Sequence, residues 1–104
     1  MIRVLTLYPS KEGSKFDFDY YMNTHMKLVR ERLGNSLVRD EVDQGLGTIE
    51  PGTPAPFQVV CHMWFNSMDE MRESMGTHGP ELIADIPNYT DIIPVSQVSE
   101  IADS

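Results

Sequence analysis

Apolar residues recur with two different periods along this chain, and the switches between them mark its elements. Ile2 to Tyr8 is a run of β-branched and large apolar residues halted by Pro9, with Gly13 in the polar stretch beyond, which predicts a strand followed by a turn. Both alternating faces of this run are largely apolar, the pattern of a strand covered on both sides. From Phe16 to Leu33 the period lengthens to that of a helix. Asp17 is placed as its N-cap, Phe16 and Tyr21 as a hydrophobic staple, and Gly34 as the residue that ends it. Phe18, Tyr21, Met22, His25, Leu28, Val29 and Leu33 fall on one side of this helix, and Asn23, Lys27, Arg30 and Glu31 on the other. His25 therefore sits inside an apolar stripe.

Ser36 to Thr48 reads as a second strand of imperfect period, with a bulge expected near Asp43 to Gly45. Pro51, Gly52, Pro54 and Pro56 make Ile49 to Pro56 a loop, and Phe57 to Phe65 is a third strand, so the two strands form a long-looped hairpin. Ser67 followed by Glu70 has capping-box spacing, and Met68, Met71 and Met75 continue it as the apolar face of a second helix. Gly76, Gly79 and Pro80 are expected to end that helix, with a short helical turn over Glu81 to Ile86. The last strand is expected within Ile92 to Ile101, starting late because of Pro94.

The order strand, helix, strand, strand, helix, strand predicts an α+β fold of the ferredoxin-like βαββαβ kind, an antiparallel sheet with both helices on one face. The opposite face stays bare in a single copy. Because the first and third strands are apolar on both sides, a homodimer packed through that face is expected.

Length and composition narrow the class further. A chain of 104 residues, 40% hydrophobic and 23% charged, has the makings of one globular domain spanning 1–104. Sixteen acidic against eight basic residues give a net charge of −8, a field that repels nucleic acid and anionic lipid, so neither is an expected partner. The single cysteine, Cys61, lies in an apolar run and cannot form an intrachain disulfide, which favours a reducing compartment. No apolar run approaches the roughly 18 residues of a membrane span, and the first residues do not resemble a signal sequence. A cytoplasmic protein is expected.

An imidazole on an apolar helix face needs a partner or a purpose. Burial would keep His25 neutral and able to take a proton from an activated carbon or phenol, although a histidine satisfied by a backbone carbonyl would look the same in sequence. Tyr8, at the end of the first strand, and Tyr21, one turn before His25, are candidate substrate contacts. His62 and Trp64 are also candidates, yet they alternate with Cys61, Met63 and Phe65 and so belong to the other sheet face, where Trp64 would anchor a dimer interface. His25, His62 and His78 lack metal-ligand spacing, and nucleotide-binding and nucleophile-elbow motifs are missing, so no metal and no cofactor is expected. The carboxylates Asp40, Glu41 and Asp43, and Asp69, Glu70 and Glu73, read as solvated surface.

Leu7-Tyr8-Pro9, Phe16-Asp17, Tyr20-Tyr21, His25 with Leu28-Val29, and Phe65-Asn66-Ser67 together resemble the EthD family of the dimeric α+β barrel superfamily, a family named for a link to ethyl tert-butyl ether degradation. The resemblance covers nearly the whole chain and is most specific around His25. It implies a homodimer with its two sheets face to face and a cavity in each subunit between helices and sheet. The superfamily includes cofactor-free monooxygenases, isomerases and cyclases, so it implies no single reaction. Two functions remain open on this reading. One is a cofactor-independent enzyme, oxidoreductase or isomerase/cyclase, acting on a hydrophobic aromatic or carbonyl compound with His25 as general base. The other is a non-catalytic accessory protein that carries a hydrophobic small-molecule ligand in a catabolic pathway.

Overall fold

Pro9 closes the first strand as its position in the sequence implies: β1 runs Ile2–Pro9 in the computed structural model, which describes residues 1–103. β2 spans Arg39–Gln44, β3 Phe57–Phe65 and β4 Val95–Glu100, in the spatial order β2-β3-β1-β4 with every neighbouring pair antiparallel. This is the ferredoxin-like arrangement, with both helices on one face of the sheet. The register sorts the side chains. Val4 pairs with Met63, Thr6 with Cys61 and Tyr8 with Val59 on the face towards the helices, while Arg3 with Trp64, Leu5 with His62 and Leu7 with Val60 point the other way. No helix among the described residues is long and apolar enough to cross a membrane.

The first helix starts at its expected cap, where the Asp17 carboxylate accepts the amide proton of Tyr20 at 3.0 Å. It is α-helical over Phe18–Tyr20, π-helical over Tyr21–His25 and α-helical again over Met26–Leu33. In the wide turn Met26 donates to the carbonyl of Tyr21, five residues back. That extra residue brings Tyr21, His25 and Met26 inward together, so Met26 is fully buried although regular helical spacing leaves it off the stripe. The helix stops at Gly34, which sits at φ +52° and ψ −130°, a conformation costly for any residue with a Cβ.

Three expectations need correction. The second helix is one continuous rod, Met68–Asp85, passing through Gly76, Gly79 and Pro80. A proline within a helix crowds the Cβ of the residue before it, and Gly79 has none, so that penalty is absent here. Ser67 caps this helix, its hydroxyl accepting from Glu70 at 3.1 Å. β2 is shorter than expected and ends at Gln44 before any bulge. Asp40 is not solvated: its side chain is 12% exposed and accepts a forked pair of hydrogen bonds from Arg30, the shortest 2.6 Å.

The core lies between helices and sheet, with Phe65, Tyr8, Tyr21 and Met26 wholly enclosed. Gly34→Ala is expected to cost about 1–3 kcal/mol through backbone strain alone, since no atom lies within 4 Å of an added Cβ. Chemical denaturation would detect it as a lowered midpoint with an unchanged slope.

Candidate functional site

The layer between helices and sheet is not completely filled. A cavity of about 370 Å³ opens between the first helix, the end of the second, and the middle of β1 and β3. Met26, Val29, Met63, Leu82 and Ile86 make its wall apolar, and Thr6, Tyr8, Tyr21, His25, Cys61 and Ser96 contribute the polar atoms. Tyr8, Tyr21 and His25 all line this one cavity.

His25 owes its position to the π turn and its orientation to a residue 60 positions later. Its Nδ1 lies 2.9 Å from Oδ2 of Asp85, the last residue of the second helix. A carboxylate can only accept, so Nδ1 carries the proton, and Nε2 keeps a lone pair with no hydrogen-bond partner among the described residues, on a ring that lines the cavity. The other carboxylate oxygen of Asp85 accepts from the Tyr20 hydroxyl at 2.7 Å and from the Asn88 side-chain amide at 2.9 Å. Asn88 reaches it because the chain continues from the helix into a 3₁₀ turn, Ile86–Asn88. Tyr21 stacks on the imidazole, centroids 5.4 Å apart and planes 18° from parallel, and the Tyr89 ring packs at 4.7 Å. The hydroxyls of Tyr8 and Tyr89 are hydrogen-bonded at 2.6 Å.

Asp85 and Tyr89 are the functional candidates that sequence reasoning missed. A carboxylate in the last turn of a helix opposes the macrodipole, and Asp85 lies one turn beyond Leu82 and next to Ile86, on the apolar side. An acid placed there needs donors to hold it, and that was the available signal.

Electrostatics follow from burial. For His25, removal from water lowers the pKa below its ordinary 6.5 and outweighs Asp85, which pulls the other way. For Asp85, partial burial raises the pKa, but Asn88, His25 and Tyr20 together outweigh it and leave the carboxyl below its usual range. Tyr8 is pushed up to about 12 and Cys61 to about 11, in both cases chiefly by burial, so both are protonated at neutral pH. Cys61 is a packing group with its Sγ 3.9 Å from Met26 Sδ, and it lacks the thiolate a nucleophile requires. Among the described residues no three His, Cys, Asp or Glu side chains gather as a metal site.

His62 and Trp64 stand on the other side of the sheet and do not line the cavity. His62 Nε2 is 2.7 Å from Asp43, its ring stacks on Trp64, and the Arg39 guanidinium lies 4.0 Å above the indole. Trp64 is covered within its own chain, only 6% exposed.

The lowered His25 pKa has a consequence for stability. Between the folded value and the unfolded 6.5 the unfolded chain binds more protons at this site, so stability is complete above pH 6.5 and declines as pH falls through the folded value. Thermal unfolding midpoints are expected to drop between pH 6.5 and 5 less steeply in His25→Gln than in the wild type. Parallel curves for the two proteins would remove His25 as the titrating group.

Comparison with known proteins agrees with this architecture. A solved EthD-like protein from Ralstonia eutropha JMP134 is 39% identical, with a TM-score of 0.92 over 98% of this chain and 92% of that one. An EthD family protein from Bacillus halodurans C-125 is 21% identical, with a TM-score of 0.68 over 96% of this chain and 97% of its own. A dimeric ferredoxin-like protein of unknown function from Thermobifida fusca YX is 13% identical, with a TM-score of 0.61 over 96% and 90% of the two chains, and shares the fold. No curated protein matches. The family model described as EthD domain matches residues 12–93, a stretch that holds His25, Asp85 and Tyr89, and the chain belongs to the EthD family.

Proposed function

We propose that this protein binds a hydrophobic aromatic or carbonyl-bearing small molecule in the cavity beside His25 and acts on it as a cofactor-independent enzyme. The observation that carries the reading is the His25–Asp85 hydrogen bond, which fixes the proton on Nδ1 and leaves Nε2 as a base facing an apolar space. Nε2 takes a proton from an acidic C–H or O–H of the ligand, the electron pair stays on the ligand as an enolate or phenolate, and Asp85 stabilises the imidazolium that forms. Monooxygenase, isomerase and cyclase reactions can each begin with this step. A positioned base supplies roughly 10²- to 10⁴-fold in rate. The apolar wall adds to this by excluding water and holding the reactant in place.

The homodimer belongs to the same proposal. The sheet face away from the helices carries half-buried Leu5, Leu7 and Val60 beside the covered Trp64, with Arg39, Glu41 and Asp43 along one side. Arg3 lies on this face, and its Nε is buried without a hydrogen-bond partner among the described residues. A second copy would cover the apolar centre and offer carboxylates to Arg3. The Thermobifida fusca relative, described as dimeric, lends support.

Native mass spectrometry of the freshly purified protein, followed by identification of any released molecule, tests both parts. A dimer carrying an organic molecule is expected. With that molecule as substrate, His25→Ala should abolish turnover while the dimer persists. Asp85→Asn should lower turnover about 10- to 100-fold, the equivalent of one hydrogen bond to a charged group. Full turnover in His25→Ala would overturn the enzyme reading, and saturable binding without turnover in the wild type would make the protein a carrier.

A further inference from the structure

The buried pair Tyr8–Tyr89 has a direction that bears on the ligand. Their hydroxyls are 2.6 Å apart, and either oxygen can serve as donor. The surroundings distinguish the two cases. Both tyrosines are buried, Tyr8 1% and Tyr89 3% exposed, but Tyr8 lines the cavity and Tyr89 does not; the Tyr89 ring packs against those of Phe16, Tyr21 and His25. If Tyr8 donated, the proton of Tyr89 would be left without an acceptor, since Tyr8 is the only hydrogen-bond partner of the Tyr89 hydroxyl among the described residues. If Tyr89 donates, both protons are accommodated, because that of Tyr8 is free to point into the cavity. Buried donors are almost always paired, so the second arrangement is favoured.

We infer that Tyr89 is a positioning residue: it donates to Tyr8 and so aims the Tyr8 hydroxyl at a ligand oxygen, which fits the site to a hydrophobic carbonyl compound with an acidic C–H beside the carbonyl. The inference rests on the reading of His25 as base and adds the group opposite it. Tyr21 contacts both, its ring centroid 5.4 Å from that of His25 and 5.7 Å from that of Tyr8. When Nε2 removes the C–H proton, the C–H electron pair becomes the C=C bond of an enolate. The carbonyl π pair moves onto oxygen, and that oxygen accepts a hydrogen bond from Tyr8. Donors already aimed at a developing oxyanion stabilise it without reorganisation. Return of the proton from His25 to the same carbon gives exchange, and its delivery to a neighbouring conjugated carbon gives isomerisation, with no oxidant consumed in either case.

Two measurements test it: neutron diffraction from deuterated crystals, and NMR of hydrogen exchange into 2-tetralone in D₂O by the wild type, Tyr89→Phe and His25→Gln. The shared deuteron is expected on Tyr89, and Tyr8 should carry its own towards the cavity. Tyr89→Phe should lower kcat for exchange about tenfold, the equivalent of one buried hydrogen bond, and leave KM and the acid limb set by His25 unchanged. A shared deuteron on Tyr8 overturns the inference, even without any variant. Exchange that is lost in His25→Gln but unaltered in Tyr89→Phe overturns the role of Tyr89 while the base reading stands. A wild type that exchanges no deuterium into 2-tetralone overturns the carbonyl assignment, and the base reading is then judged separately by His25→Ala turnover.

Discussion

An imidazole drawn into an apolar interface tends to lose its charge, and the group that orients it must come from somewhere other than water. In this protein the orienting group is Asp85, 2.9 Å away at the end of the second helix. The pairing brings together the middle of one helix and the last residue of the other. It also sets the requirements around itself: Tyr20 and Asn88 hold the free carboxylate oxygen, and the 3₁₀ turn after Asp85 delivers Asn88 to it. A carboxylate at a helix C-terminus is unfavourable by the macrodipole, and three donors offset that cost. Burial and hydrogen bonding thus push in opposite directions on both partners, and each keeps its useful form, neutral imidazole and ionised carboxyl.

The π turn is the local counterpart of this long-range constraint. A regular helix would carry Met26 round towards solvent, whereas the added residue lets Tyr21, His25 and Met26 face inward within a single turn. Such single-turn insertions occur often at functional sites, since one widened turn re-aims side chains without breaking the helix. Here it places a stacked aromatic against the imidazole and a methionine against Cys61, so it shapes the polar and the apolar side of the cavity together.

The sheet divides two kinds of work between its faces. Towards the helices, Thr6, Tyr8, Cys61 and Met63 form the cavity floor. On the far side, Arg39 and His62 cover Trp64, and the charged residues of β2 border the apolar centre along one side. Period-two alternation makes the division inevitable: once Met63 faces the helices, His62 and Trp64 cannot.

Much of this could be read from local patterns. The cap at Asp17, the stop at Gly34, the bounds of Phe57–Phe65, the capping box at Ser67, the order of elements and the place of His25 on a buried face all follow from interactions between residues a few positions apart. Neighbours in sequence stay neighbours in any fold, so such signals survive without knowledge of the rest. The continuous second helix was misread because Pro80 is a strong breaker, and Gly79 before it lacks the Cβ that would crowd the proline ring. Membership of the EthD family was visible in the residues around His25. Only the tertiary structure decided that Asp85 orients that histidine, that Tyr89 reaches Tyr8 from 81 residues away, and that the first helix widens at Tyr21. These contacts exist because closing the sheet brings distant helix ends together, and no periodicity along the chain records which side chains then meet.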